Sequence, residues 1–274
     1  MLPNFHQLRR LLSTTTTTTS TSTTPTVVGS NSGHIGHIVI HNPAKLNAMT
    51  LQMYKDIPTA CQNSSTAQTR VTILSGVGTK AFGAGSDIAE FPQVRTGAQQ
   101  AAAYSKHEDN ASESLQALAH PLLAKIHGKC YGGALNIALT ADLRYASEDA
   151  TFCVPPAKLG IGYPRSLMKL LVNAVGKTNA KELLFTAAVI NAREAKDMGL
   201  INRVVPKDEL DDHVTQVAMQ IAQLAPLTIA SCKMELQNSD MAAEQAYKEC
   251  YESKDYEVGV HSFLEKRCPK FTGD

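Results

Sequence analysis

PLLAKIHGKCYGGALNIALTADLRYASEDATFCVPPAKLGIGY, residues 121–163, carries the pattern from which the fold is read. The run at 122–126 has the composition of a buried strand, glycines follow at 128, 132 and 133, and the apolar run 134–140 reads as a short helix. Strands at 142–146 and 151–154 complete the unit. Strand giving way to helix and returning to strand marks an α/β domain. Gly132 and Gly133 stand at the strand-to-helix junction, where the first amides lack helical partners and the helix dipole is positive. Such a junction suits an anion.

The same character recurs upstream. A β-branched run at 71–75 reads as a second buried strand and enters GVGTKAFGAGSDIAEF (76–91), which holds Gly76, Gly78, Gly83 and Gly85. Glycines at this density permit positive φ and close backbone approach, so successive amides can turn toward one ligand atom. Two such loops can pair their amides around one oxyanion.

Six segments then come in a recognisable order: NPAKLNAM (42–49), KAFGAGSDIAEF (80–91), HGKCYGGALNIAL (127–139), DLRYASEDATFCVPPAKLGIG (142–162), AREAKDMGLINRVVP (192–206) and SFLEKR (262–267). Together they resemble the crotonase superfamily, the enoyl-CoA hydratases and isomerases, across residues 34–268. The resemblance implies an α/β spiral of ββα turns over residues 30–206 and a C-terminal helical region, 207–274, that packs subunits into a homotrimer or a dimer of trimers. It also implies an acyl-CoA substrate, with coenzyme A arriving as part of that substrate and no permanently bound cofactor. The backbone N–H groups that grip the thioester oxygen fall on Ser86 and Gly133. The coenzyme path falls on Lys45, Leu46, Ala84, Ser86, Asp87 and Ile88, with Phe263 and Lys266 completing the site of a neighbouring subunit.

One departure from the family is chemical. Hydration needs one carboxylate to activate water and one carboxylic acid to protonate Cα, and alignment by the glycines puts those positions at Asn136 and Pro156. Neither transfers a proton at neutral pH. Tyr163, in LGIGY, matches a tyrosine that lies near the substrate carboxylate in the methylmalonyl-CoA decarboxylase branch of the family. That branch has a histidine where this chain has Ser86. Loss of CO2 from a 2-carboxyacyl-CoA requires no general base, so the alternatives here are a hydratase or isomerase, a decarboxylase, or a silent acyl-CoA-binding subunit. Asp87, Glu90 and Asp142 read as structural carboxylates, His37 and His127 as satisfied core histidines, and Cys130 and Cys153 as packing residues.

With 274 residues, 43% of them hydrophobic, the chain can bury a sizeable core. Its 26 basic and 25 acidic residues give no field to steer it onto nucleic acid or an anionic membrane. No apolar run approaches the length of a membrane span. Six scattered cysteines without CxxC spacing read as reduced thiols, and no metal-ligand spacing occurs. Residues 13–24 are all Ser or Thr, Arg9 and Arg10 precede them, and the first acidic residue is Asp56. This start has the composition of a mitochondrial transit peptide, so residues 1–29 are expected to be a matrix-targeting or disordered segment.

Further elements follow from pattern. A strand is expected at 34–40, a helix from about Leu51 shortened or kinked at Pro58, and an amphipathic helix at 97–119 with Tyr104, Leu115 and Leu118 on its apolar stripe. That helix has no basic cluster of the RNA-binding kind. Helices at 166–173, 177–187 and 192–198, the last capped by Gly199, precede a strand at 202–205. A helical pattern from Lys207 is interrupted at Pro226.

Overall fold

The structure is a computed structural model and describes residues 24–237 and 241–274. Most of the expected targeting segment, residues 1–23, lies outside the described residues. β1 (Thr26–Ser32) and β2 (Ile35–His41) form an antiparallel hairpin, followed by α1 (Leu51–Ser64), β3 (Val71–Gly76) and β4 (Ala81–Gly83). Then come α2 (Phe91–Val94), α3 (Gly97–Gln116), β5 (Leu122–Ile126), β6 (Lys129–Tyr131), α4 (Gly132–Leu139), β7 (Leu143–Ser147), β8 (Thr151–Cys153), α5 (Pro156–Leu159) and α6 (Arg165–Thr186). β9 (Ile190–Asn191), α7 (Ala192–Asp197) and β10 (Arg203–Val205) close the sheets. α8 (Leu210–Ala222), α9 (Pro226–Gln237), α10 (Met241–Glu252) and α11 (Lys254–Leu264) make the helical C-terminal region.

Two sheets result, ordered β1-β2-β3-β5-β7-β10 and β4-β6-β8-β9. The first is parallel from β2 onward, and the second is parallel except for the β8–β9 pair. Each of β3–β4, β5–β6 and β7–β8 therefore gives one strand to each sheet before the chain moves on. This is the α/β spiral of ββα turns that the family resemblance implies.

Burial on both faces explains why the central strands read as continuous apolar runs. In β5, Leu122, Ala124 and Ile126 enter the main core, while Leu123 enters a second core with Val71, Ile73, Tyr145 and, from α8, Leu210, Val214 and Ala218. The period-2 alternation of a strand makes this division automatic.

Two expectations need correction. β1 begins at Thr26, so residues 26–29 belong to the folded core rather than to the leading segment. α1 is not cut short at Pro58 but continues to Ser64. Its buried Met53, Tyr54, Ile57, Ala60 and Cys61 each contribute up to about 3 kcal/mol of burial, which together outweighs the roughly 3 kcal/mol that an interior proline costs. The two helices expected at 166–173 and 177–187 are both present within α6, separated at Gly176, whose φ of 74° is not helical.

Candidate active site

The segment after β2 acts as a staple for the first glycine loop. Asn47 sends Nδ2 to the carbonyls of Val77 (3.0 Å) and Ala81 (2.8 Å), and its own Oδ1 accepts from the Asn42 amide (3.1 Å). Leu46 and Asn47 hold left-handed φ values of 53° and 57°, which turn their backbone toward that loop. The Ala84 amide then donates to the Leu46 carbonyl (2.9 Å). Met49 bonds on both sides of Ser86: its N–H donates to the Gly85 carbonyl and its carbonyl accepts from the Asp87 amide, each at 2.7 Å. A parallel bridge made through its two neighbours leaves the N–H of Ser86 itself directed to the opposite side.

On that side lies the second glycine loop. Gly85 (φ 108°) and Gly132 (φ 46°) let the two backbones touch, and a Cβ on Gly132 would stand 3.8 Å from the Gly85 Cα. A Cβ on Gly133 would stand 3.3 Å from the Ser86 nitrogen, 2.6 Å from its Oγ and 2.1 Å from the Tyr54 hydroxyl. Gly133 is the second residue of α4, so its N–H belongs to the first turn, where no helical carbonyl is available. Tyr54 and Ser86 share a hydroxyl hydrogen bond of 3.0 Å.

Ser86 and Gly133 line one cavity with Ala84, Ile88, Asn136, Pro156 and Tyr163. The positions aligned with the two family glutamates therefore do face the site, occupied by an amide and a ring. Tyr163 donates its hydroxyl hydrogen to Asn136 Oδ1. Burial pushes the phenol above its usual range, with Glu108 adding and the Asn136 bond opposing, so the hydroxyl stays protonated at neutral pH.

Two further groups in the wall escaped sequence reasoning. Arg95, just past α2, and Glu108, on α3, form an ion pair at 3.5 Å with side chains only 9% and 5% exposed. The Arg95 guanidinium lies 4.6 Å from the Tyr104 ring centroid and 5.1 Å from that of Phe91. Burial raises the Glu108 carboxyl to about 7 even though Arg95 draws it down.

The remaining expected residues divide into two places. Lys45 reaches Asp87 across the loop (Nζ to Oδ2, 2.6 Å), so Lys45, Leu46, Ala84, Asp87 and Ile88 gather at the Ser86 edge. Phe263, 84% exposed, and Lys266 lie at the outer end of α11, away from this cavity. Asp87 also caps its loop by accepting from the Ala89 amide, and Glu90 accepts from the Leu51 amide at the start of α1. Asp142 accepts from the Leu122 amide (2.7 Å) and pairs with Lys233 (2.9 Å). These three carboxylates hold structure, as read. His127 is buried and its Nε2 meets Asp211 at 3.3 Å, but its Nδ1 has no partner, so it is not the fully satisfied core histidine expected. Among the described residues no group of three or more His, Cys, Asp or Glu side chains could hold a metal ion, and no helix is long and apolar enough to cross a membrane.

Comparison with known proteins agrees with this fold. The family model for enoyl-CoA hydratase/isomerase matches residues 30–274. The chain is 33% identical to methylmalonyl-CoA decarboxylase of Escherichia coli over 240 residues, covering 84% of this chain and 91% of that one. It is 30% identical to a short-chain-enoyl-CoA hydratase of Clostridium acetobutylicum, covering 88% and 95% of the two chains. A crystal structure of an enoyl-CoA hydratase/carnithine racemase from Magnetospirillum magneticum superposes with a TM-score of 0.85 at 32% identity, covering 90% of this chain and 96% of that one. With its two-sheet spiral and its abutting glycine loops, the chain belongs to the enoyl-CoA hydratase/isomerase family of the crotonase superfamily.

Proposed function

We propose that this acyl-CoA enzyme decarboxylates a 2-carboxyacyl-CoA, with the thioester oxygen held by the N–H groups of Ser86 and Gly133. One observation carries the reading: the two positions where a hydratase of the family keeps glutamates are Asn136 and Pro156, yet both line the cavity with Tyr163. When the bond between Cα and the carboxyl group breaks, its electron pair enters the thioester as an enolate and CO2 leaves. Two fixed amide donors aimed at that oxygen lower the barrier by roughly 3 kcal/mol each, and the dipole of α4 adds to them. Tyr163, kept neutral, offers a hydrogen bond to the departing carboxylate by turning its one O–H from Asn136 Oδ1 to the substrate, and Arg95 supplies a positive charge in the same wall. The likeness to the decarboxylase of Escherichia coli supports the same chemistry.

The test is a thioester panel. Purified protein releases CO2 from methylmalonyl-CoA, and Tyr163→Phe lowers kcat by about tenfold to a hundredfold while the fold is kept. Unchanged CO2 release in Tyr163→Phe removes the tyrosine from the reaction, and none from any 2-carboxyacyl-CoA removes the reading. Double-bond isomerisation is the second reading, favoured by the carboxyl group of Glu108 in the cavity. Migration of the double bond in a 3-enoyl-CoA without CO2 release from the panel selects it.

The same reading places the enzyme in the mitochondrial matrix as a homotrimer or dimer of trimers. The acid-free, Ser/Thr-rich start supports the first. Exposed Tyr247, Tyr251, Val260, Phe263 and Leu264 on α10 and α11 support the second. Sedimentation of the purified protein and localisation of a tagged full chain test the two separately.

A further inference from the structure

The cavity wall holds one buried carboxyl group with an oxygen left unbonded. Glu108 lies beside Ser86, Gly133 and Tyr163, yet only 4% of the residue is exposed. Buried carboxylates elsewhere in the chain have both oxygens filled: Asp255 accepts from the amides of Thr272 (2.8 Å) and Gly273 (2.9 Å), and Asp87 from the Ala89 amide (3.2 Å) and Lys45 (2.6 Å). Glu108 Oε2 has no hydrogen-bond partner, and its ion pair with Arg95, at 3.5 Å, is too long to be one. A buried, under-bonded acid in a ligand cavity is a group kept ready for exchange.

We infer that Glu108 is the catalytic acid–base of this site, giving a proton to the substrate α-carbon after CO2 departs; for that substrate the inference rests on the decarboxylation reading. In the step, the Glu108 O–H bond breaks, its proton forms the new Cα–H bond, and the enolate electron pair closes that bond as the thioester C=O is restored. The negative charge passes to Glu108, where Arg95 faces it, and solvent returns the proton. Run backwards on a saturated acyl-CoA, the Glu108 carboxylate removes an α-proton.

The surroundings suit this task. Facing Glu108 are Arg95 from the segment after α2, Tyr104, Ser105 and Asp109 on its own helix, the Ser105 hydroxyl bonding to the carboxyl, Tyr54 from α1 and Tyr163 from the loop before α6. Burial pushes all three phenols upward, and the charge of Glu108 adds to each shift, so they remain neutral. Burial also brings Glu108 to about 7, the range in which an acid both gives and takes a proton near neutral pH.

The experiment follows deuterium. In D2O, wild-type enzyme exchanges the α-protons of propionyl-CoA and converts methylmalonyl-CoA into propionyl-CoA labelled on one face, read by NMR. Glu108→Gln is expected to slow the exchange by about 10²–10⁴-fold, to scramble the label, and to remove the limb near pH 7 from the kcat profile. Glu108→Asp, which keeps a carboxyl one methylene shorter, retains the stereochemistry and the pH limb at a lower rate, and it carries the test if Glu108→Gln fails to fold. CO2 release with exchange rate and stereochemistry unchanged in either variant overturns the role of Glu108 and leaves decarboxylation standing. Glu108-dependent exchange without CO2 release from any substrate does the reverse. Wild-type enzyme that exchanges no α-proton overturns the inference directly.

Discussion

Gly133→Ala separates a blocked site from a damaged fold. The added Cβ would lie 2.1 Å from the Tyr54 hydroxyl and 2.6 Å from Ser86 Oγ, both far inside contact distance, and 3.3 Å from the Ser86 nitrogen. Gly133, unlike Gly132, is not left-handed, so alanine adds no backbone strain of its own. The clash resembles overpacking and is expected to cost about 1–3 kcal/mol of stability. A methyl group placed over the Ser86 N–H also denies the thioester oxygen its seat, expected to cost about 10²–10³ in kcat, or roughly 3–4 kcal/mol. Making the change in a Tyr54→Phe, Ser86→Ala background removes both clashing oxygens at the loss of their 3.0 Å hydrogen bond, worth about 1 kcal/mol. In that background the backbone amides remain, so the double variant stays active. Adding Gly133→Ala there lowers stability by less than about 1 kcal/mol while still removing about 10² or more of the rate. Urea titration and CO2 release from methylmalonyl-CoA read the two quantities separately. Recovery of the double variant's rate in the triple variant refutes the placing of the oxyanion between these amides.

Other outcomes follow from the charges. Glu108 holds its proton more tightly folded than unfolded, about 7 against the usual 4.5, so its contribution is most favourable at low pH, falls between those values and levels off above them. The shift corresponds to roughly 3 kcal/mol; wild-type protein should lose up to that much more stability between pH 5 and pH 8 than Glu108→Gln, and equal losses in urea titrations at the two pH values contradict the burial argument. Asp142→Ala leaves Lys233, whose side chain is 7% exposed, with only the His120 carbonyl at 2.9 Å. An unpaired buried charge costs about 3–5 kcal/mol, so chemical denaturation should show a loss of that size with activity per folded molecule kept; less than about 1 kcal/mol would mean water reaches the ammonium.

The loops were legible because their chemistry lies in the backbone. Glycine density announces positive φ and close approach whatever side chains stand nearby, and Gly85 and Gly132 take those conformations. β1 was not legible, because only Val27 of its seven residues is buried and Ser30, Asn31 and Ser32 read as loop. The three-residue strands β4, β6 and β8 are too short to show a period of two, although the strand expected at 151–154 covers all of β8. Glu108 sits in SKHEDNASES, which reads as a solvated helix face. The signal was present in the stripe itself: from Tyr104 the helical period leads through Glu108, Ala111 and Ser112 to Leu115, and all five are buried. Pattern gave the stripe, but only the packing of α1 and the Arg95 segment against α3 shows that a carboxyl on it meets a ligand cavity.

The absence of a glutamate at position 136 and the presence of one at 108 are linked by electrostatics. Both residues are 4% exposed and line the same cavity. Two carboxyl groups in one buried site cannot both ionise cheaply, because each raises the other's affinity for protons on top of the desolvation they share. With Arg95 as the cation paired with Glu108, a second carboxylate on α4 would face an uncompensated burial cost, or would keep Glu108 protonated and unable to accept a proton. The neutral amide of Asn136 avoids this and supplies an acceptor for Tyr163. The proposed oxyanion donors, being main-chain groups set by the two glycine loops, are indifferent to the exchange. On the proposed reading, the fold holds its anion grip fixed while the titrating group sits on the helix facing α4 instead of on α4, where it would manage a single proton rather than add water.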